Sequence, residues 1–502
     1  MDENRISEKK LFTILAIDLF SMTGLIFPSV IVRFGGNGGL FGLALASALA
    51  VLSACFFLRI TKNGEWSFVN AVRQLPQGFR SVITGVYCIR FFLHGVFLMN
   101  VFVTLIQETL LPYHNRGWIL LPFLIVVFLA AGKGISVRGS MLEVLMPYIF
   151  LPLLLVLVLA LFEVDYGSLP AYVMGETAGN NGISSYGMFL FFQPIEFLLF
   201  LTPFRKTEKQ KKGKAVCWAL LFVILINILL YLATVGMFGT KRTAEKLWSA
   251  LYIMQSVRLP GHFIERLDIL FLVFYIFSIF ALFSGYLFYS ENLLSVHGEG
   301  WKKKMYPLLY LAATFFVVNG MGDVEQAYEQ FLSYKMRYDV VLAFGIPLLV
   351  RFLGVWKNGK KKDIVTICLC CMAGMFLSGC QNKVDIEDRN YVMSLSVEKG
   401  EEEKIKVTYE TADLAVNIAD TGGRTQGKST VYTGNSFDDV EKKEENSDEK
   451  RVDYGHLKAI LFQKSMLEDP VLWQQMVKEL EEKRGLAGTI LVFLRRKSRK
   501  NI

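Results

Sequence analysis

The residues able to do chemistry lie where the sequence is most apolar. The stretch SYGMFLFFQPIEFLLFLTPF (185–204) is long enough to cross a bilayer, yet holds Gln193, Pro194 and Glu196 in its middle. Pro194 removes a backbone donor and disturbs a helix. A carboxylate at membrane depth costs roughly 3 kcal/mol or more unless it faces protein, water or a ligand. A broken helix carrying an acid therefore reads as a site for a small polar molecule. The plainer reading is a proline kink whose Glu196 pairs with a neighbouring helix. The first apolar segment has a similar interruption, Ser21-Met22-Thr23-Gly24 followed by Pro28. Gly24 can leave helical geometry cheaply, and Ser21 and Thr23 offer hydroxyls. Backbone groups freed at such a break suit the carboxylate and ammonium of a zwitterion. A small-residue helix contact is the alternative.

Other polar residues sit within apolar runs. Tyr87, Arg90 and His94 fall at i, i+3 and i+7, on one helix face. Arg90 either faces the interior, where Glu196 is a candidate partner, or snorkels to the interface. Asp18 is a further candidate buried charge. Tyr275, Ser278 and Tyr286 either line the same cavity or pack as aromatic helix contacts. The glycines at 35, 36, 38 and 39 do not fit a nucleotide loop, and no Walker, HExxH or Ser-His-Asp pattern occurs. The expectation is a protein that is not an enzyme, with no catalytic residues and no cofactor. Of seven cysteines, Cys368, Cys370, Cys371 and Cys380 cluster late; none has zinc-ligand spacing in a polar setting, so no metal is expected.

The elements that must position these residues are membrane spans. Apolar residues make up 53% of the 502, too many for an ordinary soluble enzyme. Apolar runs at 11–32, 40–59, 82–110, 118–132, 142–163, 185–204, 215–238, 267–290, 306–320 and 337–354 predict ten transmembrane helices. Interruptions in the first and sixth point to inverted five-helix repeats. The net charge of +9 does not imply nucleic acid, because the basic residues sit in alternate short loops. These hold Arg59, Lys62, Arg73 and Arg80; Lys133 and Arg138; RKTEKQKKGK (205–214); Lys302 to Lys304; and Lys357 with Lys360 to Lys362. Loops 164–184 and 321–334 contain no Lys or Arg, the positive-inside pattern with both ends of the ten spans inside. The loop 239–266 is an exception, expected to carry an amphipathic helix from about Ala244 to Val257 on the outer surface. Residues 1–10 are polar and of both signs, unlike a cleavable signal peptide.

Residues 1–356 thus form one domain, and 357–380 a second kind of signal. A KNGKKKD flank, a short apolar core and Leu377-Ser378-Gly379-Cys380 have the layout of a bacterial lipoprotein signal, with Cys380 as the lipidation site. The alternative is an eleventh span. Either delivers residues 381–502 outside. That part is polar, with strands expected at 391–397, 405–411 and 488–493, a helix at 467–483 and a long loop at 419–450. The predicted fold class is an all-α membrane protein with a small extracytoplasmic α+β module.

The stretches ISEKK (6–10), TGLIFP (23–28), PIEFLLFLTPF (194–204) and LPGHFIERLDILFLVFYIFSIF (259–280) resemble the spore-germination permease subunits of the GerAB type, over about residues 5–356. LSGC (377–380), VDIEDRNYVMSLSVEKG (384–400) and DYGHLKAILF (453–462) resemble the N-terminal part of a GerAC-type germination lipoprotein, normally a separate chain. The first resemblance implies membership of the amino acid–polyamine–organocation superfamily and a LeuT-like fold. It implies a nutrient germinant receptor subunit in the inner membrane of bacterial spores, with other receptor subunits and membrane lipid as partners. The ligand, an amino acid or similar nutrient, is expected between broken spans one and six, near Ser21, Thr23, Gly24, Gln193, Glu196, Tyr87, Arg90 and Tyr275. The alternatives are a secondary amino-acid transporter coupled to H+ or Na+, and a non-binding component that holds the lipoprotein module at the membrane.

Overall fold

The computed structural model describes residues 5–167, 169–170, 181–205, 213–256, 267–298, 302–322 and 324–356, then 389–400, 404–412, 427–437, 451–453, 457–467, 491–495 and scattered positions between 439 and 476. It divides into two compact units, Met1–Gly379 and Cys380–Ile502.

In the first unit, Ser7 caps α1 (Glu8–Thr23) by accepting from the Lys10 N–H at 3.3 Å. The helix ends where Gly24 N–H donates to Phe20 O at 2.6 Å. The next helix, α2 (Phe27–Gly35), has Pro28 in its first turn, where a missing N–H costs no hydrogen bond. The two axes are bent by 58°. Then follow α3 (Gly39–Ile60), α4 (Phe68–Arg73), α5 (Gln77–Thr109), α6 (Arg116–Ala130) and α7 (Ile135–Leu161). After α7 come the segment Gly182–Phe204 and the helices Lys214–Glu245, Ser249–Ser256, Leu267–Leu294 and Lys302–Gly320. The last helical stretch runs from Val324–Tyr334 through two π-helical stretches, Lys335–Asp339 and Val341–Gly345, into Ile346–Trp356.

Among the described residues, six helices are long and apolar enough to cross a membrane, and the bent α1–α2 pair makes a seventh; Arg116–Ala130 and Met305–Gly320 are shorter apolar helices. Several predicted boundaries move. The loop at 321–334 is largely the helix Val324–Tyr334, because Val324, Ala327, Tyr328 and Phe331 recur at helical spacing and are buried. Arg138, assigned to a loop, lies inside α7, which begins at Ile135. The seventh span continues past its predicted end to Glu245, with a kink at Gly239, whose φ of 74° suits glycine. The helix expected over about 244–257 is shorter, Ser249–Ser256, and buries Ala250, Ile253 and Met254 against protein.

The centre of this unit is α1, buried at every residue from Thr13 to Thr23. It packs against Leu190–Phe197, α7 and the helices Lys214–Glu245 and Leu267–Leu294; the last of these also packs against α5. α1, α5, the segment around Pro194 and the helix Leu267–Leu294 therefore share one core.

In the second unit the strands are β1 (Arg389–Lys399), β2 (Ile405–Ala412), β3 (Gly427–Gly434), β4 (Arg451–Asp453), β5 (Ala459–Gln463) and β6 (Leu491–Arg495). The sheet order is β3-β2-β1-β5-β6, with β4 beside β1. The β1–β2 and β2–β3 pairs are antiparallel; β5 and β6 continue in parallel. A register shift between Val392 and Ser394 changes the phase of β1. It lets Val392, Leu395 and Val397 all face the core despite their uneven spacing. The long loop at 419–450 contains β3: its Thr and Ser residues read as loop, yet Thr430, Val431, Tyr432 and Thr433 are strand formers. The helix expected at 467–483 falls mostly outside the described residues.

Candidate functional site

Pro194 has no N–H to give to the carbonyl four residues back, and the chain responds by tightening. Leu190–Phe197 is 3-10 helix, followed by one α turn, Leu198–Leu201, and a 3-10 turn, Thr202–Phe204. The sixth segment is thus tightened and remains one span, whereas the first is bent at its break. A 3-10 helix has three residues per turn, so side chains three apart eclipse. That places Gln193 beside Glu196, and Gln193 Nε2 donates to Glu196 Oε1 at 2.6 Å. Tyr286 donates in turn to Gln193 Oε1 at 3.0 Å.

Facing this turn, α5 presents Tyr87, Arg90 and His94, all buried. Arg90 does not snorkel: it is 1% exposed and lies between two carboxylates. Its Nη1 is 2.8 Å from Glu196 Oε1 and 2.7 Å from Oε2, and its Nε is 2.6 Å from Asp339 Oδ1. His94 Nε2 lies 3.3 Å from Asp339 Oδ2, and its Nδ1 is 2.8 Å from the Arg90 carbonyl oxygen. Lys335 is also fully buried, its Nζ 5.5 Å from the centre of the Phe191 ring and 5.2 Å from that of Phe331. With His94 neutral, the formal charges of Arg90, Lys335, Glu196 and Asp339 cancel. Asp339 and Lys335 escaped the sequence reading. They stand in YKMRYD (334–339), at the edge of an apolar run, where charges ordinarily flank a span. Nothing in the sequence marks the π-helical turn that carries both.

The break in α1 makes a second set of contacts. Ser21 Oγ is 2.6 Å from the Ile17 and Ser278 carbonyl oxygens, and Tyr275 donates to Ser21 O at 2.8 Å. Thr23 Oγ1 bonds Leu19 O at 3.1 Å and accepts from Asn227 Nδ2 at 3.0 Å. Asn227 was not anticipated; as a lone amide in a run of Leu and Ile it was the available signal. Gly24 behaves differently from expectation. Its φ of −58° and ψ of −32° are ordinary right-handed helix, so no conformational freedom is used. What needs a glycine is space, since an added Cβ would lie 2.6 Å from the Phe20 ring.

Asp18, between one and two helical turns before the break, is fully buried and pairs with Arg138 of α7, whose Nη2 lies 2.8 and 3.0 Å from its two oxygens. Arg138 also donates to Tyr289 Oη at 3.0 Å and to Ala281 O at 2.8 Å. An added Cβ at Gly285 would come within 2.6 Å of the same guanidinium. Asp18 therefore belongs to a clamp joining α1, α7 and the helix Leu267–Leu294.

Structure thus brings Gln193, Glu196, Tyr87 and Arg90 into one cluster, and Ser21, Thr23, Gly24 and Tyr275 into another. Phe27 bridges the bend after α1 and the tightened turn around Pro194, its ring 5.9 Å from Phe191 and 5.5 Å from Phe192. Beside Gln193, Glu196 and Asp339 lies a cavity of about 20 Å³, room for one water and too small for an amino acid. Cys380 and residues 259–266 fall outside the described residues.

The comparisons with known proteins agree with this architecture. The family profile described as "Spore germination protein" matches residues 5–318, and that described as "Spore germination protein N-terminal domain" matches residues 382–501. The chain is also similar to spore germination protein B2 of Bacillus subtilis (strain 168), with 20% identity over 368 residues, covering 71% of this chain and 97% of that protein. With well over half of its length matched by the permease profile, the chain belongs to the spore germination protein family, as a GerAB-type permease joined to a GerAC-type N-terminal domain.

Proposed function

We propose that this chain is the membrane subunit of a nutrient germinant receptor, binding an amino acid between the break in α1 and the tightened turn around Pro194. The observation that carries the reading is a buried polar cluster, Arg90–Glu196–Asp339, drawn from α5, the segment around Pro194 and the π-helical turn Lys335–Asp339, beside the bent α1–α2 pair. Charges at membrane depth are retained where they meet a substrate or couple helices. The neighbouring cavity has room for a water and not for an amino acid, so in this reading the receptor must open to admit its ligand. Ligand binding then shifts that equilibrium in proportion to its preference for the open form.

In this reading the first 356 residues make ten crossings in two LeuT-like inverted repeats. The two short apolar helices and Val324–Trp356 complete the set begun by the longer ones. The basic loops face the cytoplasm, the chain sits in the inner membrane of the spore, and residues 357–380 carry the chain across to place 381–502 outside. Cys380 is the lipidation site. The fused GerAC-type domain favours a receptor over a transporter coupled to H+ or Na+, which has no need of it. A panel of amino acids and sugars offered to spores with and without this chain tests the proposal. A nutrient response that is independent of the chain overturns it, and concentrative uptake by proteoliposomes favours the transporter.

A further inference from the structure

Away from the polar cluster, a groove of about 530 Å³ runs between the start of α1 and the start of the helix Lys214–Glu245. That is within the roughly 300–1,000 Å³ range of sites that enclose a small ligand. Its floor is Phe12 and Phe222, whose ring centres are 6.0 Å apart. One wall is a stripe at helical spacing, Trp218, Leu221 and Leu225, which are 64%, 58% and 51% exposed. The mouth is basic. Of the acidic and basic residues that open α1, Glu8 is ion-paired to Arg205, and Lys10 is turned inward onto Ser136 O at 3.2 Å. Lys9 points outward, 81% exposed, with only a loose 3.9 Å approach to Glu143. Lys214 is likewise exposed at the opposite lip.

We propose that this groove holds an anionic phospholipid, its acyl chain along Phe12, Trp218 and Leu225 and its headgroup between Lys9 and Lys214. The inference rests on the reading that this chain spans a membrane. Three features select a lipid over a protein partner. The wall runs along a helix long and apolar enough to cross a bilayer. Trp218 sits near the basic lip, where amphipathic rings favour the headgroup level. Lys9, with only a loose partner in Glu143, and Lys214 stand exposed at the mouth, which fits basic pockets between spans that take acidic headgroups. Because one side of the groove is α1 itself, occupancy bears directly on the helix that breaks at Gly24.

The test uses the full chain reconstituted in vesicles of phosphatidylcholine with a fixed fraction of either phosphatidylglycerol or more phosphatidylcholine, the guest lipid carrying brominated acyl chains. Bromine quenches tryptophan on contact, and the difference between the native chain and Trp218→Phe isolates Trp218. The expected result is stronger quenching of Trp218 by brominated phosphatidylglycerol. The relative association constant should fall roughly 5-fold for each of Lys9→Gln and Lys214→Gln, at about 1 kcal/mol per lysine, and the preference should shrink with added salt. Equal quenching by the two lipids overturns the proposal and leaves ordinary lipid contact. Quenching of the remaining tryptophans without Trp218 also overturns it, because lipid then does not enter the groove. Absence of quenching at every tryptophan refutes the membrane reading itself.

Discussion

Glu196→Gln separates the functional and structural roles of the buried cluster. The substitution keeps the shape of the side chain but removes the negative charge 2.7–2.8 Å from Arg90 Nη1. Arg90 retains Asp339 at 2.6 Å, so its guanidinium keeps an ionic partner, while the cluster of Arg90, Lys335 and Asp339 gains one net positive charge. The loss is then at least that of one hydrogen bond to a charged group, about 1.5–3 kcal/mol. Against a typical folding stability of about 5–15 kcal/mol, the variant still folds and reaches the membrane. Arg90→Ala is a different perturbation. It leaves Glu196 and Asp339 buried without the cation between them, which costs about 3–5 kcal/mol. Immunoblots of spore membranes should therefore show near-normal Glu196→Gln and depleted Arg90→Ala. The fall in optical density of a spore suspension given nutrient should be slowed or abolished in Glu196→Gln at equal protein level. If Glu196→Gln vanishes from the membrane, the acid is structural. If it is present and responds normally, the cluster is not part of the response, and the functional argument fails.

Further predictions follow from the clamp, the break and the topology. Asp18→Asn leaves Arg138 buried without a counter-charge, so protein level in the membrane should drop, by about 3–5 kcal/mol of stability; an unchanged level on immunoblots contradicts the clamp. Gly24→Ala should impair the response through the contact with Phe20 2.6 Å away, and Phe20→Leu should restore it if space is the requirement; failure of that rescue points to backbone freedom instead. Ser447→Cys should react with an impermeant thiol reagent on intact membranes; labelling only after permeabilisation reverses the proposed topology. A C-terminal tag should reveal a fragment of about 120 residues that disappears in Cys380→Ala if signal peptidase acts; a single full-length band in both excludes cleavage.

How much of this was legible in advance depended on what each feature costs. An arginine and a glutamate within apolar runs are expensive, so Arg90 and Glu196 announced themselves, and the bend at Gly24 and the tightened turn at Pro194 were marked by residues that disturb helices. Asp339 and Lys335 were hidden because charges beside an apolar run are cheap in most proteins; only a tertiary fold that carries the span's edge into the core makes them costly. Arg138 was hidden for the same reason. Gly24 shows a different limit: glycine advertises freedom of backbone and freedom of space alike, and the sequence does not say which is used. In the second unit, β3 was missed because Ser, Thr and Gly serve loops and edge strands equally well.

The clamp between Asp18 and Arg138 has a consequence for biosynthesis. The two residues are 120 positions apart in the chain. At roughly 5–20 residues per second, the acid of the first span waits about 6–24 s for its arginine to be made. Closure onto the sixth span waits longer, since Ile6 N–H donates to Phe204 O. For that interval α1 enters the bilayer with an unpaired carboxyl group, at a cost of roughly 2.5–3.5 kcal/mol near the helix centre. The contacts that fix the first helix synthesised are thus complete only once α7 and the segment through Phe204 have been made.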